Sequence, residues 1–463
     1  MANKWQIQLN NLGTGGFAPA YFTDSYSSFG NSNQANAMVS IDLTNPNVLK
    51  QGPGLANLDS DTNPVGTIKG IMHNEASASK TYGISATKIY DITATAIVEK
   101  APDSAITGGE DIVLYGDKLK FSHDNDIGSA DNPWANSNQD WWTTTLSGTA
   151  LQSGEAHQLL VAGTTGLMTV LDGSWVGSWD GTADGGTVQK AFDTQDSDIH
   201  LVSQVYNQNR FWFAGNKPNV AGRNEASIFV WDGNSNSWEN KINIDGKIGT
   251  LFVKNGITFV VYTKNLSDTV CTLGYVDGSR ITDVLNYDGS LPSWYQVCEY
   301  KDFKLWASGT DLMAFGGGDL KIPTRLFKLG TCGAGGLANP FGTPITAASA
   351  KLYKLSGYTV TSSWYSLLFQ LSGAGRKSVI DKLIFNIDKP STGARVDWTL
   401  KSNAGTSLQT GTISEATDGA IIRKIFYPKV DAENCQLQLN FANGSTTNAL
   451  AIRNITLMGH YLD

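Results

Sequence analysis

Charge is scarce in this chain. Only 16% of its 463 residues are Asp, Glu, Lys or Arg, against roughly a quarter in an average soluble domain. The balance is acidic, with a formal net charge of −8, so there is no electrostatic footprint for nucleic acid as a partner. The longest basic cluster, RKSVIDK at 376–382, is too sparse to track a phosphate backbone and reads as a solvated strand edge. No apolar run approaches the ~20 residues that would span a bilayer, so membrane insertion is not expected. The opening MANKWQIQLNNLG has no apolar stretch of the secretory kind and reads as a strand, so no signal peptide is expected. Cysteine is nearly as rare. Cys271, Cys298, Cys332 and Cys435 form no CxxC pair, which argues against zinc and against a disulfide framework. Cys271 and Cys298 sit inside strand-like runs and read as small core residues.

What is abundant is glycine, at 49 residues, and aromatics, at 10% with 13 Trp. Gly, Asn, Ser and Thr between apolar runs suit a β-rich protein with many tight turns. Period-two alternation recurs along most of the chain, and no amphipathic helical period lasts three turns. In DIVLYGDKLKFSH (111–123), IHLVSQVYNQNRFWFAGN (199–216), KIGTLFVKNGITFVVYTK (247–264) and YQVCEYKDFKLWASGTDLMAFGGG (295–318), a polar pair separates two apolar runs. These pairs are Gly116-Asp117, Asn207-Gln208, Asn255-Gly256 and Lys301-Asp302, residues that accept the positive φ of a tight hairpin. In SIFVWDGNSNSWENKI (227–242), Asp-Gly supplies the reversal, and Trp231 and Trp238 are expected between neighbouring sheets.

The units start near Gly66, Asp111, His157, Ile199, Lys247, Tyr295 and Thr346. That spacing, roughly 41–51 residues, is what four short antiparallel strands require, and propeller repeats share it. One such sheet cannot bury both faces, whereas a closed ring of them can. The fold expected is therefore all-β: a β-propeller over 60–372, of seven blades with six as the alternative. Residues 1–59 form a leader, with KWQIQLN or AMVSIDLTNPNVLKQGPGL completing the last blade. After 372 the period breaks into shorter alternating runs such as DKLIFNID, ARVDWTLKS and CQLQLNFAN. Leu383, Phe385 and Ile387 make one face, Val396, Trp398 and Leu400 another, and Leu437, Leu439 and Phe441 a third. Residues 373–463 thus read as a small jelly-roll-like β-sandwich, joined through the linker SGAGRKS (372–378).

Signals for chemistry are thin. His73, His123, His157, His200 and His460 are far apart without HExxH or HxH spacing. His157 and His200 recur at similar places in successive units, which fits shared packing rather than a shared metal. There is no GxSxG elbow, and GGFAPA, FGGGDLK and GAGG read as turns. LDGSW and WDGNSNSW lack the leading Ser and the spacing of the sialidase hairpin signature, and Arg210, Arg223, Arg280 and Arg325 fall in no recognisable motif. A carboxylate pair of glycosidase type is undemanding enough to stay open as the alternative. The acidic loops 58–64, 123–134 and 193–198 raise calcium, but Asp124, Asp126 and Asp131 lack the EF-hand glycine and terminal Glu, so Asx turns explain them better. No cofactor is expected. The polar stretch DNDIGSADNPWANSNQDWWTTTL (124–146) carries Trp134, Trp141 and Trp142, the candidate partner-contact residues, since Trp is enriched at contact hot spots.

SIDLTNPNVLKQGPGL, FSHDNDIGSADNPW, IFVWDGNSNSWE and LYKLSGYTVTSSWYSLLFQL resemble β-propeller structural proteins of tailed-bacteriophage virions, found in tails, tail tips, nozzles and the head–tail region. The resemblance implies a non-enzymatic virion component. Its partners would be other virion proteins in a symmetric assembly, with a host-surface glycan or receptor as a further partner in host attachment. The alternative is a carbohydrate-binding protein or glycosidase of the propeller type. A cellular propeller of the WD40 or kelch kind ranks last, because the repeated Trp-Asp and Gly-His signatures are missing.

Overall fold

The computed structural model describes residues 4–10, 35–45, 47–59, 66–74, 80–100, 105–116, 118–130, 141–142, 151–162, 166–179, 188–220, 223–264, 269–316, 326–348, 351–371, 376–419, 421–443 and 446–462. At 35–37, 74, 141–142 and 219–220 the description is limited to the backbone.

Five strands precede the repeats: β1 (Lys4–Asn10), β2 (Ala35–Val39), β3 (Ile41–Asp42), β4 (Lys50–Gln51) and β5 (Gly54–Asn57). Blade 1 follows as β6–β9 (Ile68–Asn74, Lys80–Ser85, Ile89–Ile92, Ile97–Lys100). Blade 2 is β10–β13 (Gly109–Tyr115, Lys118–His123, Asp126–Ala130, Trp141–Trp142). Blade 3 is β14–β17 (Leu159–Val161, Met168–Asp172, Trp175–Trp179, Gln189–Asp193). Blade 4 is β18–β20 (His200–Asn207, Arg210–Val220, Arg223–Trp231) with the first half of β21 (Asn240–Lys254). The second half of β21 opens blade 5, completed by β22–β24 (Ile257–Lys264, Val270–Asp277, Arg280–Asp288). Blade 6 is β25–β28 (Val297–Tyr300, Phe303–Ser308, Asp311–Gly316, Leu326–Thr331). Blade 7 is β29–β31 (Leu337–Ala338, Ile345–Ala348, Lys351–Ser356), with β5 as its outermost strand.

These sheets close into a ring. Along the axis β6 lies beside β10, β10 beside β14, β14 beside β18 and β18 beside β21, while β25 neighbours β29 and β29 returns to β6. Several hydrogen bonds between successive blades, among them Lys69 to Glu110, Gln204 to Gln158 and Asn207 to Gly256, join residues 41 to 49 positions apart, close to the repeat length. The protein is a seven-bladed β-propeller. Its closure pairs β5 with β31, Leu55 opposite Leu355 and Gly54 opposite Ser356. Blades 4 and 5 share β21, whose pairing passes from Glu225↔Asp245 to Gly246↔Lys264. A Cβ on Gly246 would stand 1.8 Å from the Thr263 carbonyl oxygen, so only glycine lets one strand serve two sheets there.

The tight turns follow the expected chemistry, with one shift. Asn255 and Gly256 both take positive φ between Lys254 and Ile257. In blade 4 the turn pair is Gln208-Asn209, one residue beyond the expected Asn207-Gln208, because Asn207 pairs with Arg210 in the ladder. Blade 7 starts at Leu337 rather than near Thr346, which lies in the second strand. A two-residue first strand after CGAGG is too short to show alternation.

The sandwich is assembled from both ends of the chain. Beyond β31 come β32 (Thr361–Ser366), β33 (Phe369–Gln370), β34 (Ser378–Ile387), β35 (Ala394–Ser402) and β36 (Ser407–Ser414). A short α1 (Glu415–Asp418) leads to β37 (Arg423–Phe426), β38 (Val430–Ala432), β39 (Asn434–Asn443) and β40 (Ile452–Tyr461). One sheet runs β1-β40-β34-β37 with β38 also on β34, and the other runs β2-β32-β39-β35-β36 with β33 on β39. Taken in chain order, β1, β32, β34, β35, β36, β37, β39 and β40 alternate between the sheets except at the β35–β36 hairpin, as the strands of a jelly roll do. The propeller is thus an insertion between the first strands of the sandwich. The separate leader and the boundary at 372/373 are corrected accordingly: β1 and β2 belong to the sandwich, as do β32 and β33, while β5 alone of the leader strands closes the ring.

Alternation explains the sandwich core. In β1, Trp5, Ile7 and Leu9 point inward between exposed Lys4, Gln6, Gln8 and Asn10, and they meet the expected faces of β34, β35 and β39 in one apolar cluster. That cluster continues into the propeller through Phe303, Leu305, Phe327, Leu329 and Leu337, so blades 6 and 7 share a core with the sandwich. Among the described residues no helix is long and apolar enough to cross a membrane.

Candidate functional site

Near the axis, polar side chains are engaged in holding blades together. Bulges at Gly109/Asp111, Leu201/Ser203 and Ile248/Thr250 interrupt the first strands of blades 2, 4 and 5. Such interruptions release backbone groups that need partners when buried. Beside them, side chains bond to backbone N–H groups of the neighbouring blade. The Leu159 N–H donates to Asp111 Oδ2 at 2.8 Å, the Gln204 N–H to Gln158 Oε1 at 2.7 Å and the Leu251 N–H to Ser203 Oγ at 3.0 Å. Glu110 accepts from Lys69 Nζ at 2.8 Å and from the His157 N–H at 2.7 Å, joining blades 1, 2 and 3. Asp111 is buried, and loss of hydration pushes its carboxyl up to about 8 although two backbone N–H groups oppose the rise.

One end of the axis is occupied. A 3₁₀ turn, Trp294–Gln296, immediately precedes β25 and touches β6, β18, β21 and β29, the inner strands of blades 1, 4, 5 and 7. Buried Gln296 pins it, donating from Nε2 to the Ala334 carbonyl at 2.8 Å and accepting the Ser293 N–H at 2.7 Å. A Cβ on Gly249 would lie 2.6 Å from the Pro292 carbonyl oxygen, which measures how closely this segment lies on blade 5.

Blade 4 carries the open concavity. Its β19 runs 11 residues and its β20 runs 9, and the hairpin they form stands above a cleft of about 550 Å³ facing blade 3. Directly paired residues share a face of a sheet. Phe229 with Lys241 makes one rung, Ser227 with Asn243 the next, and Glu225 with Lys217 and Asp245 the third. Arg223, two residues beyond Glu225, falls on the same face. Low on this face, Phe213 and Phe229 pack on Phe192 of blade 3, with ring centroids 5.0 and 5.8 Å away. Trp231 and Trp238 join them at 6.0 and 6.4 Å, the inter-sheet position expected for both. Higher up the faces part, and Lys217 Nζ bridges to Asp196 at 2.9 Å and Asp198 at 3.5 Å across the gap. The Lys217 hydrogen bond holds the Asp196 carboxyl below its ordinary range. The cleft floor is polar, with Ser227 Oγ donating to Asn243 Oδ1 at 3.0 Å.

Of the expected contact residues, Trp141 and Trp142 form the outer strand of blade 2, opposite Ala130 and Ser129. Their side chains and the whole of Trp134 lie outside the described residues. His157 and His200 are not equivalent. His157 is buried 3.3 Å from Asp172 Oδ1, whereas His200 Nδ1 sits 2.9 Å from both Glu155 carboxylate oxygens. In the acidic loop 193–198 carboxylates make Asx turns: Asp193 Oδ1 accepts the Gln195 N–H at 2.7 Å and Asp196 Oδ1 the Asp198 N–H at 3.1 Å. Among the described residues no group of three or more His, Cys, Asp or Glu could hold a metal. Cys271, Cys332 and Cys435 are buried free thiols, pushed up by burial to about 11, 12 and 12.

No protein-family model and no curated protein matches the chain. Solved structures give remote likenesses. An exo-β-1,3-galactanase from Phanerochaete chrysosporium is 11% identical over 88% of this chain and 100% of its own, with a TM-score of 0.33. Kluyveromyces lactis Hsv2 is 10% identical over 66% of this chain and 93% of its own, TM-score 0.35. Drosophila Semaphorin 1a, extracellular domains 1-2, is 7% identical over 66% and 88%, TM-score 0.40. Likeness this remote carries nothing about role, and the propeller stands on the chain's own strand pairing.

The cleft residues were not marked by any motif. Lys217, Arg223, Glu225, Lys241 and Asn243 come from three strands and meet only through register. The one local signal is NKPNVAGRNE (216–225), a charged extension of an otherwise apolar hairpin.

Proposed function

We propose that the protein is a non-enzymatic structural component of a tailed-phage virion, an assembly platform of the tail or head–tail region. The observation that carries this reading is an open sheet edge on the sandwich with exposed apolar residues beside it. β37 pairs with β34 on one side and has no strand on the other among the described residues. Around it Ile421, Ile422 and Tyr427 are 39%, 67% and 60% exposed. Arg423 and Lys424 place charge on the edge strand itself, and the clustered exposed apolar side chains beside it mark a contact surface. The opposite edge of the same sheet is β1, so the sheet offers a continuation from copy to copy of the kind closed symmetry uses. The core shared by sandwich and blades 6 and 7 favours a rigid body, as a platform requires.

Light scattering and analysis of assembled particles test this. The protein is expected in stoichiometric, symmetric copies within particles, and Ile422→Asp with Tyr427→Asp is expected to release soluble, folded protomers. Absence from particles, or turnover of a polysaccharide lost on changing one carboxylate, would overturn the proposal in favour of the carbohydrate-active alternative.

A further inference from the structure

The cleft between blades 3 and 4 has a charge pattern that structural pairing leaves incomplete. Lys217 is committed to Asp196 and Asp198. Among the described residues, however, the side chains of Arg223 and Glu225 make no ion pair or hydrogen bond. Lys241 lies over aromatic faces, its Nζ 5.3 Å from the Phe229 ring centroid and 5.9 Å from that of Trp238, and its charge also reaches the Asp196 carboxylate without a direct ion pair. Among the described residues neither Arg223 nor Lys241 is held in a salt bridge on this concave face, although Asp196, Glu225 and Asp245 line it too. From Arg223 to the Phe229–Lys241 rung the face runs six residues, about 20 Å at strand rise. That is a groove for a chain rather than a pocket for one small ion. Between the cations lie acceptors and hydroxyl-scale polar groups: Glu225, Asp245, Ser227 and Asn243.

We propose that this cleft binds an acidic polysaccharide whose sugar units carry carboxylates, a uronate-bearing chain. Arg223 and Lys241 take the ligand carboxylates, Arg223 with the fork geometry suited to them. Glu225 and the Ser227–Asn243 pair take sugar hydroxyls, which donate to carboxylates as readily as they accept from amides. This division of labour excludes ligands that are anionic throughout. Nucleic acid, polyphosphate or an acidic peptide would bring negative groups against Glu225 and Asp245 without hydroxyl donors to compensate. The segment joining blade 3 to blade 4 supplies the opposite wall through Asp196 and Ile199, and Ile199 packs on Gly215, where a Cβ would meet its Cγ2 at 2.5 Å. The site is independent of the virion reading, since a carbohydrate-binding propeller of any origin would bind the same chain.

Affinity electrophoresis of the full chain through gels containing polygalacturonate, with dextran, poly-glutamate and DNA as parallel gels, tests the site. Retardation is expected in polygalacturonate alone, decreasing with salt. Arg223→Ala with Lys241→Gln should weaken it roughly tenfold or more, the effect of losing charge-assisted contacts, with an unchanged melting temperature as fold control. Glu225→Gln should weaken polygalacturonate binding while permitting poly-glutamate binding. No retardation by polygalacturonate, equal retardation of the double variant, or stronger retention by poly-glutamate or DNA would overturn the assignment. Particle analysis reads the virion role separately, so either idea can fail alone.

Discussion

Phe192→Ala measures how far the ring and sandwich behave as one body. Phe192 is 1% exposed and meets four aromatic rings of blade 4, those of Phe213, Phe229, Trp231 and Trp238, at centroid distances of 5.0 to 6.4 Å. Truncating a buried Phe to Ala costs about 3–5 kcal/mol, and this site is at the upper end because rigid rings collapse poorly into a cavity. Unfolding entropy is ~2.1 cal/mol/K per residue, so a cooperative unit of 463 residues has about 1 kcal/mol/K and should lose about 3–5 °C in Tm. If blades 3 and 4 melted by themselves, ~90 residues would give about 0.2 kcal/mol/K and a drop nearer 20 °C in a separate transition. Calorimetry, with near-UV circular dichroism following the tryptophans, distinguishes these. The shared core predicts the small shift in a single transition. A shift below about 1 °C would refute the burial of Phe192 between blades, and a separate early transition would refute the single body.

Two further outcomes follow from buried groups. Asp111 has its carboxyl raised by burial to about 8, above the ~3.9 of an unfolded chain. The native state therefore holds more protons between about pH 4 and 8, and stability should fall as pH rises through that window. Asp111→Asn should flatten that slope in urea titrations run at several pH values, and an unchanged slope would contradict the role. Gly246→Ala places a methyl 1.8 Å from the Thr263 carbonyl oxygen, so it should separate blade 4 from blade 5 and lower the yield of folded protein, whereas Gly278→Ala, with nothing within 4 Å and only its positive φ against it, should be far milder when both are assayed by limited proteolysis.

Much of the ring was legible because each blade repeats one local instruction. Six expected starts fall close to observed first strands: Asp111 lies within β10, Lys247 within β21, and His157 is two residues before β14. The seventh was displaced because Leu337–Ala338 carries too few residues for alternation to appear. What local pattern could not give was partnership. KWQIQLN is plainly a strand, but nothing in it names β40 as its neighbour, since that pairing joins Lys4 to His460. The discontinuous sandwich and the choice of β5 as closing strand are products of long-range register. The cleft was hidden for the same reason, with Glu225 meeting Lys217 and Asp245 only once three strands are aligned. The Trp cluster drew notice because composition marks it, while a groove of Lys, Arg, Glu and Asn resembles any solvated surface until its faces are sorted.

A ring of blades is inserted into a jelly roll and closed by residues 54–57. Leu55 and Leu355 face each other in that closing pair, and opposed residues of an antiparallel ladder lie ~4.5–5.5 Å apart at Cα, inside the range a disulfide bridges. Peptide mapping by mass spectrometry of the Leu55→Cys, Leu355→Cys double variant, oxidised in the folded state, decides the point. A linked peptide pair carrying positions 55 and 355 is expected in the monomer. Two free thiols at those positions in folded protein would contradict the closure and the ring with it.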